Sequence, residues 1–185
     1  EFSTGKTSRW IRFATNVLSG VPSIIAGVFA YGIVVAATGG FSAVAGGVAL
    51  SILMLPIIVR TTDEALQLVS QDLRQAAVGL GATKFQTVAL VVVPAAVPAI
   101  VTGATLAIAR ASGETAPLLF TALFSQYWSN GIFEPTASLA VLVFNFAISP
   151  FKNLQSLAWA ASLILVLLVL LTSIIARWAT SRKVQ

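Results

Sequence analysis

The chain has 185 residues, of which 57% are hydrophobic and 9% charged, and its formal net charge is +5. It holds no cysteine and no histidine, which excludes disulfides, thiolate and imidazole metal sites, and the usual catalytic bases. The basic residues are dispersed and form no stripe, so the high pI does not describe a nucleic-acid surface.

At the start, Gly5-Lys6-Thr7 has the look of the end of a phosphate-binding loop, G-x-x-x-x-G-K-[ST]. No strand leads into it and a basic Trp-Ile-Arg-Phe stretch follows, so it reads as a solvated approach to the membrane. No charge occurs from Phe13 to Val59, a run of 47 residues. A helix needs about 20 apolar residues to cross the hydrocarbon core, so this run predicts two crossings. They fall near Val17 to Ala37 and Phe41 to Val59, broken at Thr38-Gly39-Gly40, where turn residues cluster.

A polar segment follows from Arg60 to Gln86. Thr62, Asp63 and Glu64 are expected to cap one short helix, and Ser70 to Asp72 to open a second over Leu73 to Gly79. In the second, Leu73, Ala76, Ala77 and Leu80 recur at helical spacing and predict one apolar face, with Arg74, Gln75 and Val78 outside it or at its edges. Gly79 and Gly81 then release the chain. A third crossing is expected from Thr87 to Ala111 and a fourth from Gln155 to Ala176. The uncharged stretch Pro135 to Phe151 is shorter and closed by Pro150, which suits an interfacial or re-entrant helix on the outer side. The fold class is all-α, a polytopic transmembrane helical bundle.

The positive-inside rule orients it. With four crossings, both ends and the polar segment share one side, which carries Lys6, Arg9, Arg12, Arg60, Arg74, Lys84, Arg177, Arg182 and Lys183. The opposite side keeps Lys152. The polar segment and both termini are therefore expected in the cytoplasm, with the bundle in contact with membrane lipid.

From Arg74 to Pro94 the chain reads RQAAVGLGATKFQTVALVVVP. This is similar to the pattern E-A-A, three residues, Gly, nine residues, Ile-x-Leu-Pro that marks permease subunits of ATP-binding-cassette importers. The stretches NVLSGVPSIIAGVFAY, from Asn16, and VPAAVPAIVTGATLAIARASGETAPLLFTA, from Val93, resemble the phosphate-import permease family PstA. The likeness covers nearly the whole chain and is weakest from Ser125 to Gln155. It implies a type I importer (MetI-like) permease fold over residues 1–185, with residues 60–86 as a cytoplasmic coupling loop. It also implies one or two further helices before this chain.

By the same resemblance the partners are a second permease of the PstC kind, an ATPase dimer of the PstB kind and an extracytoplasmic phosphate-binding protein of the PstS kind. ATP hydrolysis would lie on the ATPase, since no complete nucleotide-binding loop is present here, and no cofactor is implied. Arg74, Gln75, Ala76, Ala77, Leu80 and Gly81 correspond to the ATPase-coupling knob. Gln75 stands where the general pattern has Glu, which removes a possible charge contact. Periodicity alone favours a surface helix that only joins two spans; the match of spacing from Ala76 through Gly81 to Pro94 reverses that. Permeases of sulfate, molybdate or another solute remain open, as does a membrane scaffold or sensor that carries no solute.

In the third crossing Ala95, Ala99, Gly103, Ala107 and Ala111 recur every four residues, a spacing that admits close helix packing. At 100° per residue, Arg110 and Glu114 are expected near that packed side, in the outer part of the membrane. Charges there are uncommon and costly. The pair reads either as an ion pair at i,i+4 that stabilises a helix end or as part of the translocation pathway, where the resemblance places it. In the second case the fixed donor fork of Arg110 suits an oxyanion and Glu114 holds it while weakening the grip. Pro22, Pro56, Pro94 and Pro98 allow either kinks that gate or plain structure. Trp10, Trp128, Trp159 and Trp178 fit interfacial anchors, and Glu134 and Lys152 fit a solvated outer loop or a binding-protein contact.

Overall fold

The computed structural model describes residues 5–127 and 129–181, and all regular structure among them is helical. Trp128, Arg182 and Lys183 lie outside the described residues.

Helix α1 spans Lys6–Ser19, and α2, Ser23–Thr38, meets it at 103°. The first crossing therefore starts at Ser23 and not near Val17. Pro22, with φ fixed at −57°, has no N–H to continue a helix out of Gly20 and Val21. The approach segment is thus itself helical, with Trp10, Ile11 and Phe13 exposed. Beyond Thr38, Gly39 turns the chain at φ 76°, the left-handed conformation that glycine adopts without strain.

Helix α3, Ala43–Leu68, opens on the Ser42 side chain, which accepts from the Ala45 amide at 3.1 Å. It runs nine residues past the expected end at Val59, straight through Thr62, Asp63 and Glu64. The helix cap expected there does not form. No Gly or Pro interrupts 57–68, and extending a helix adds one bond per residue, whereas breaking it requires a costly second nucleus. The acids take partners one turn away on the same helix: Arg60 pairs with Glu64 at 3.0 Å and Gln67 donates to Asp63 at 2.8 Å.

Helix α4, Gln71–Gly79, begins on its Ser70 cap as expected and is released at Gly81, φ 89°. A capping box between Thr83 and Gln86 starts the third span, α5, over Lys84–Ser112. Its turn widens to π geometry at Val88–Val92, immediately before Pro94, which cannot donate back along the helix. Helices α6, Ala116–Thr121, and α7, Leu139–Ala147, precede the last span, α8, Lys152–Ser181. Nine residues of α7 rise about 14 Å, less than half the hydrocarbon thickness, so it does not cross.

Three helices, α3, α5 and α8, are long and apolar enough to span, and the bent α1–α2 pair is a broken fourth candidate. The most extensive contact is α3 on α5, and the α5 side of it is made of small residues. Ala96 and Ala107 are fully or almost fully buried, and Gly103 faces Thr61 so closely that a Cβ there would lie 2.6 Å from Thr61 Cβ. Gly27 meets the Pro117 backbone of α6 in the same way, at 2.6 Å. Such surfaces let helices approach where lipid gives no hydrophobic drive.

The four-residue stripe expected on α5 is corrected in its first half. Ala95 and Ala99 are exposed, and Ala96 is buried with Gly103, Ala107 and Ala111. Each step of four advances 400°, so the stripe drifts about 40° per step and leaves the face; Ala96, seven before Gly103, stays on it. At the far end, carbonyls of Ile132 and Glu134 accept from the Val44 and Ala43 amides, tying the loop after α6 over the start of α3. Leu118, Ala122 and Val141 form the core beneath.

Gly103→Val is expected to push α5 off α3 at a cost of about 1–3 kcal/mol. A thermal melt of the detergent-purified protein checks this, with a midpoint below that of wild type and of Gly47→Ala, where a Cβ meets open space.

Candidate functional site

The residues singled out in the sequence fall into two sets, at opposite ends of α5. The first is the knob α4, held between α3 and α5. Arg74 reaches back across the junction: Nη2 donates to the Leu66 carbonyl at 2.7 Å and Nε to the Val69 carbonyl at 3.4 Å. These are among the last carbonyls of α3, which have no partner within their own helix. The guanidinium thereby closes one helix end and orients the next helix, so Arg74 faces inward within the chain.

The apolar face expected on this helix divides. Ala77 is buried, with 8% of its surface accessible, whereas Ala76 is exposed and Leu73 and Leu80 are 49% and 90% exposed. Nine residues cannot bury a whole face against one neighbour; Ala77 meets the chain and the rest looks outward. Gln75 and Gly81 are exposed as well. The short, anchored helix thus shows Leu73, Ala76, Val78 and Leu80 to the outside.

The second set is Arg110 and Glu114. Their Nε and Oε1 lie 3.7 Å apart, a loose ion pair bordered by Leu53, Met54 and Ile57 of α3. Both were expected on the packed side, and the structure corrects this for Arg110 alone. The Arg110 side chain is 67% exposed and leaves the Gly103–Ala107–Ala111 stripe for the open side. Glu114 lies beyond the helix, which ends at Ser112 with Gly113 as its cap, so helical periodicity no longer applies to it; its side chain is 19% exposed. The pair closes the end of an apolar helix, with the cation on its exposed side.

The prolines divide by place. Pro22 stands at the bend, Pro56 is buried within the unbroken α3, and Pro94 and Pro98 fall in the first turns of α5 after its π turn. Trp10, Trp159 and Trp178 are exposed. Glu134 is tied within its own loop, accepting from the Asn130 amide at 3.0 Å. Sequence reasoning missed one long-range pair, Arg12 Nη2 on Asp63 Oδ1 at 2.9 Å, joining α1 to α3. The signal was faint: opposite charges on one predicted side, 51 positions apart.

Long lipid-length helices packed through small residues, with an exposed knob between two of them, define a multi-pass membrane protein with the MetI-like permease fold. The solved structure of the MetNI methionine ABC transporter in inward facing conformations superposes with a TM-score of 0.76, covering 96% of this chain and 76% of that one at 22% identity. The chain belongs to the family of binding-protein-dependent transport system inner membrane components, whose model matches residues 2–185. It is 49% identical over 176 residues to the phosphate transport system permease protein PstA of Xylella fastidiosa (strain 9a5c), covering 95% of this chain and 61% of that protein. Against PstA of Yersinia pestis it is 48% identical over 172 residues, covering 93% of this chain and 58% of the relative. The chain thus spans about three fifths of the length of the curated relatives it matches.

Arg74→Ala removes a charge-assisted bond worth about 1–3 kcal/mol. Hydrogen exchange over 71–82 is expected to quicken by about five-fold or more while that of α5 beyond Pro98 stays unchanged, as mass spectrometry would read it.

Proposed function

We propose that this chain is the membrane-spanning core of a permease subunit in an ATP-driven phosphate importer, forming half of the translocation pathway. The carrying observation is the pairing of its likeness to the PstA relatives with an exposed Arg110 on a membrane helix. A guanidinium directed away from this chain's core suits a path lined jointly with a second permease subunit, where its donor fork meets a phosphate oxyanion. Glu114, at 3.7 Å, keeps the cation from binding its cargo too firmly for release.

Residues 60–86 form the coupling region of the permease domain. Arg74 anchors the knob from within, and Gln75, Ala76, Leu80 and Gly81 offer surface to a cytosolic ATPase, with Ala77 as the inward pivot. Closure of the ATPase dimer moves α4, and with it the ends of α3 and α5. The excess of Lys and Arg around this end supports a cytoplasmic placement of the knob and of both ends of the chain. A PstS-like binding protein delivers phosphate to the other side, and a PstC-like permease supplies the second half.

Labelled-phosphate uptake by the full-length parent, co-expressed with its neighbouring subunits in a host lacking phosphate importers, tests the reading. Uptake is expected to require ATP and to resist excess sulfate or molybdate. Arg110→Gln is expected to lower it by about ten-fold or more, the loss of one charge-assisted contact to an anion. Undiminished uptake in that variant would remove Arg110 from the pathway, and absence of phosphate flux in an intact complex would remove phosphate as the cargo.

A further inference from the structure

Between α1 and the part of α3 beyond Val59 lies an open cleft of about 380 Å³, lined by Arg12, Thr15, Asn16, Arg60, Asp63 and Glu64 among others. Its charges are matched: Arg12 donates to Asp63 at 2.9 Å and Arg60 to Glu64 at 3.0 Å. With each cation facing a carboxylate, the cleft is not an anion site. Its hydroxyls turn inward on their own helix, Thr15 to the Ile11 carbonyl and Ser19 to that of Thr15. Arg12 and Asp63 provide the side-chain hydrogen bond that crosses the cleft, and the other carboxylate oxygen of Asp63 is held by Gln67 at 2.8 Å.

Asp63 stands one turn before Leu66, whose carbonyl receives Arg74 from the knob. A continuous sequence of contacts therefore runs from α4 through Arg74 into the last turns of α3, across Asp63 and Arg12 to α1. It continues through the joint Gly20-Val21-Pro22 to the first span, α2, which in turn packs Gly27 on Pro117. We infer that Arg12 and Asp63 are a positioning pair that transmits movement of the knob to the broken first span during transport. The inference rests on the transport reading above. Both partners are substantially exposed, 55% and 37% of their side-chain surface, and exposed pairs contribute little to stability. Such a pair is suited to reorganising in each cycle, and its loss should show in coupling before it shows in folding.

The test uses the full-length parent with its partner subunits in proteoliposomes, reading phosphate uptake and ATP hydrolysis together in wild type, Arg12→Ala, Asp63→Asn and the exchanged double variant Arg12→Asp with Asp63→Arg. Asp63→Asn keeps an acceptor for Gln67 while removing the charge. Each single variant is expected to assemble, with phosphate moved per ATP hydrolysed lower by about five-fold or more. The exchange, which restores an ion pair of reversed polarity, is expected to recover most of that ratio; a merely structural role would instead lower the yield of assembled complex and leave the ratio unchanged. Unchanged ratios in both single variants overturn the inference, as does a loss that the exchange leaves in place. A wild-type complex that hydrolyses ATP but moves no phosphate overturns the transport reading itself, and the inference with it.

Discussion

The close approach of α3 and α5 is the constraint on which the rest of this molecule depends. Gly103 has no side chain to hold Thr61 away, and the Thr61 hydroxyl returns to the Ile57 carbonyl of its own helix at 2.9 Å, so the contact needs no polar partner across the interface. In lipid, apolar area alone does not bring helices together, and surfaces of Ala and Gly gain their attraction from distance. The almost wholly buried residues are accordingly alanines, with Val92 and Val141 among the larger side chains. Because these two helices are locked, the segment between them can be short, and α4 is presented as a rigid knob.

The remaining surfaces follow from what that contact leaves free. In α8 only 11% of the most apolar window is buried within the chain, with Leu163, Ile164, Val166 and Leu167 exposed, as a lipid-facing or subunit-facing helix requires. Arg110 escapes the small-residue stripe by being at its edge and long enough to turn away. The knob shows most of its apolar residues outward because Ala77 and Arg74 suffice to attach it. Uncommitted surface in each case lies where an assembly of several chains would use it, which agrees with a family of transport components and with a fold also found in a multi-subunit transporter.

The two ends of the bundle are closed by different chemistry. At one end, backbone carbonyls of the loop after α6 satisfy the first amides of α3, a fixed arrangement of neutral hydrogen bonds. At the other, the closing groups are charged: Arg74 on carbonyls, Arg12 on Asp63, Arg60 on Glu64. The neutral bonds sit over a small core of Leu118, Ala122 and Val141, while exposed ion pairs exchange with water at little cost. The asymmetry suits the proposed role, in which motion enters at the charged end.

Spans, fold class and the knob were legible in the residues because each depends on local composition: apolar runs long enough to cross, glycines at Gly39 and Gly81, a serine cap at Ser70. The family likeness was legible in the same way, in residues contiguous along the chain. What local pattern could not supply was decided by tertiary structure. Helix α3 ran past its expected end because nothing within it favoured a break, and Pro22 bent the first span at a joint hidden inside an apolar run. Ala96 took the place expected of Ala95 and Ala99 because helical drift, summed over four turns, carries a residue out of contact. Arg110 faced outward, and Arg12 met Asp63 across 51 positions, because side-chain direction and partnership are set by which helices touch. The sequence by itself determined that the chain is a helical membrane component and where its apolar segments lie, since lipid demands long apolar segments; only the packing of those segments decided where helices bend or run on, which charges meet and which surfaces remain open.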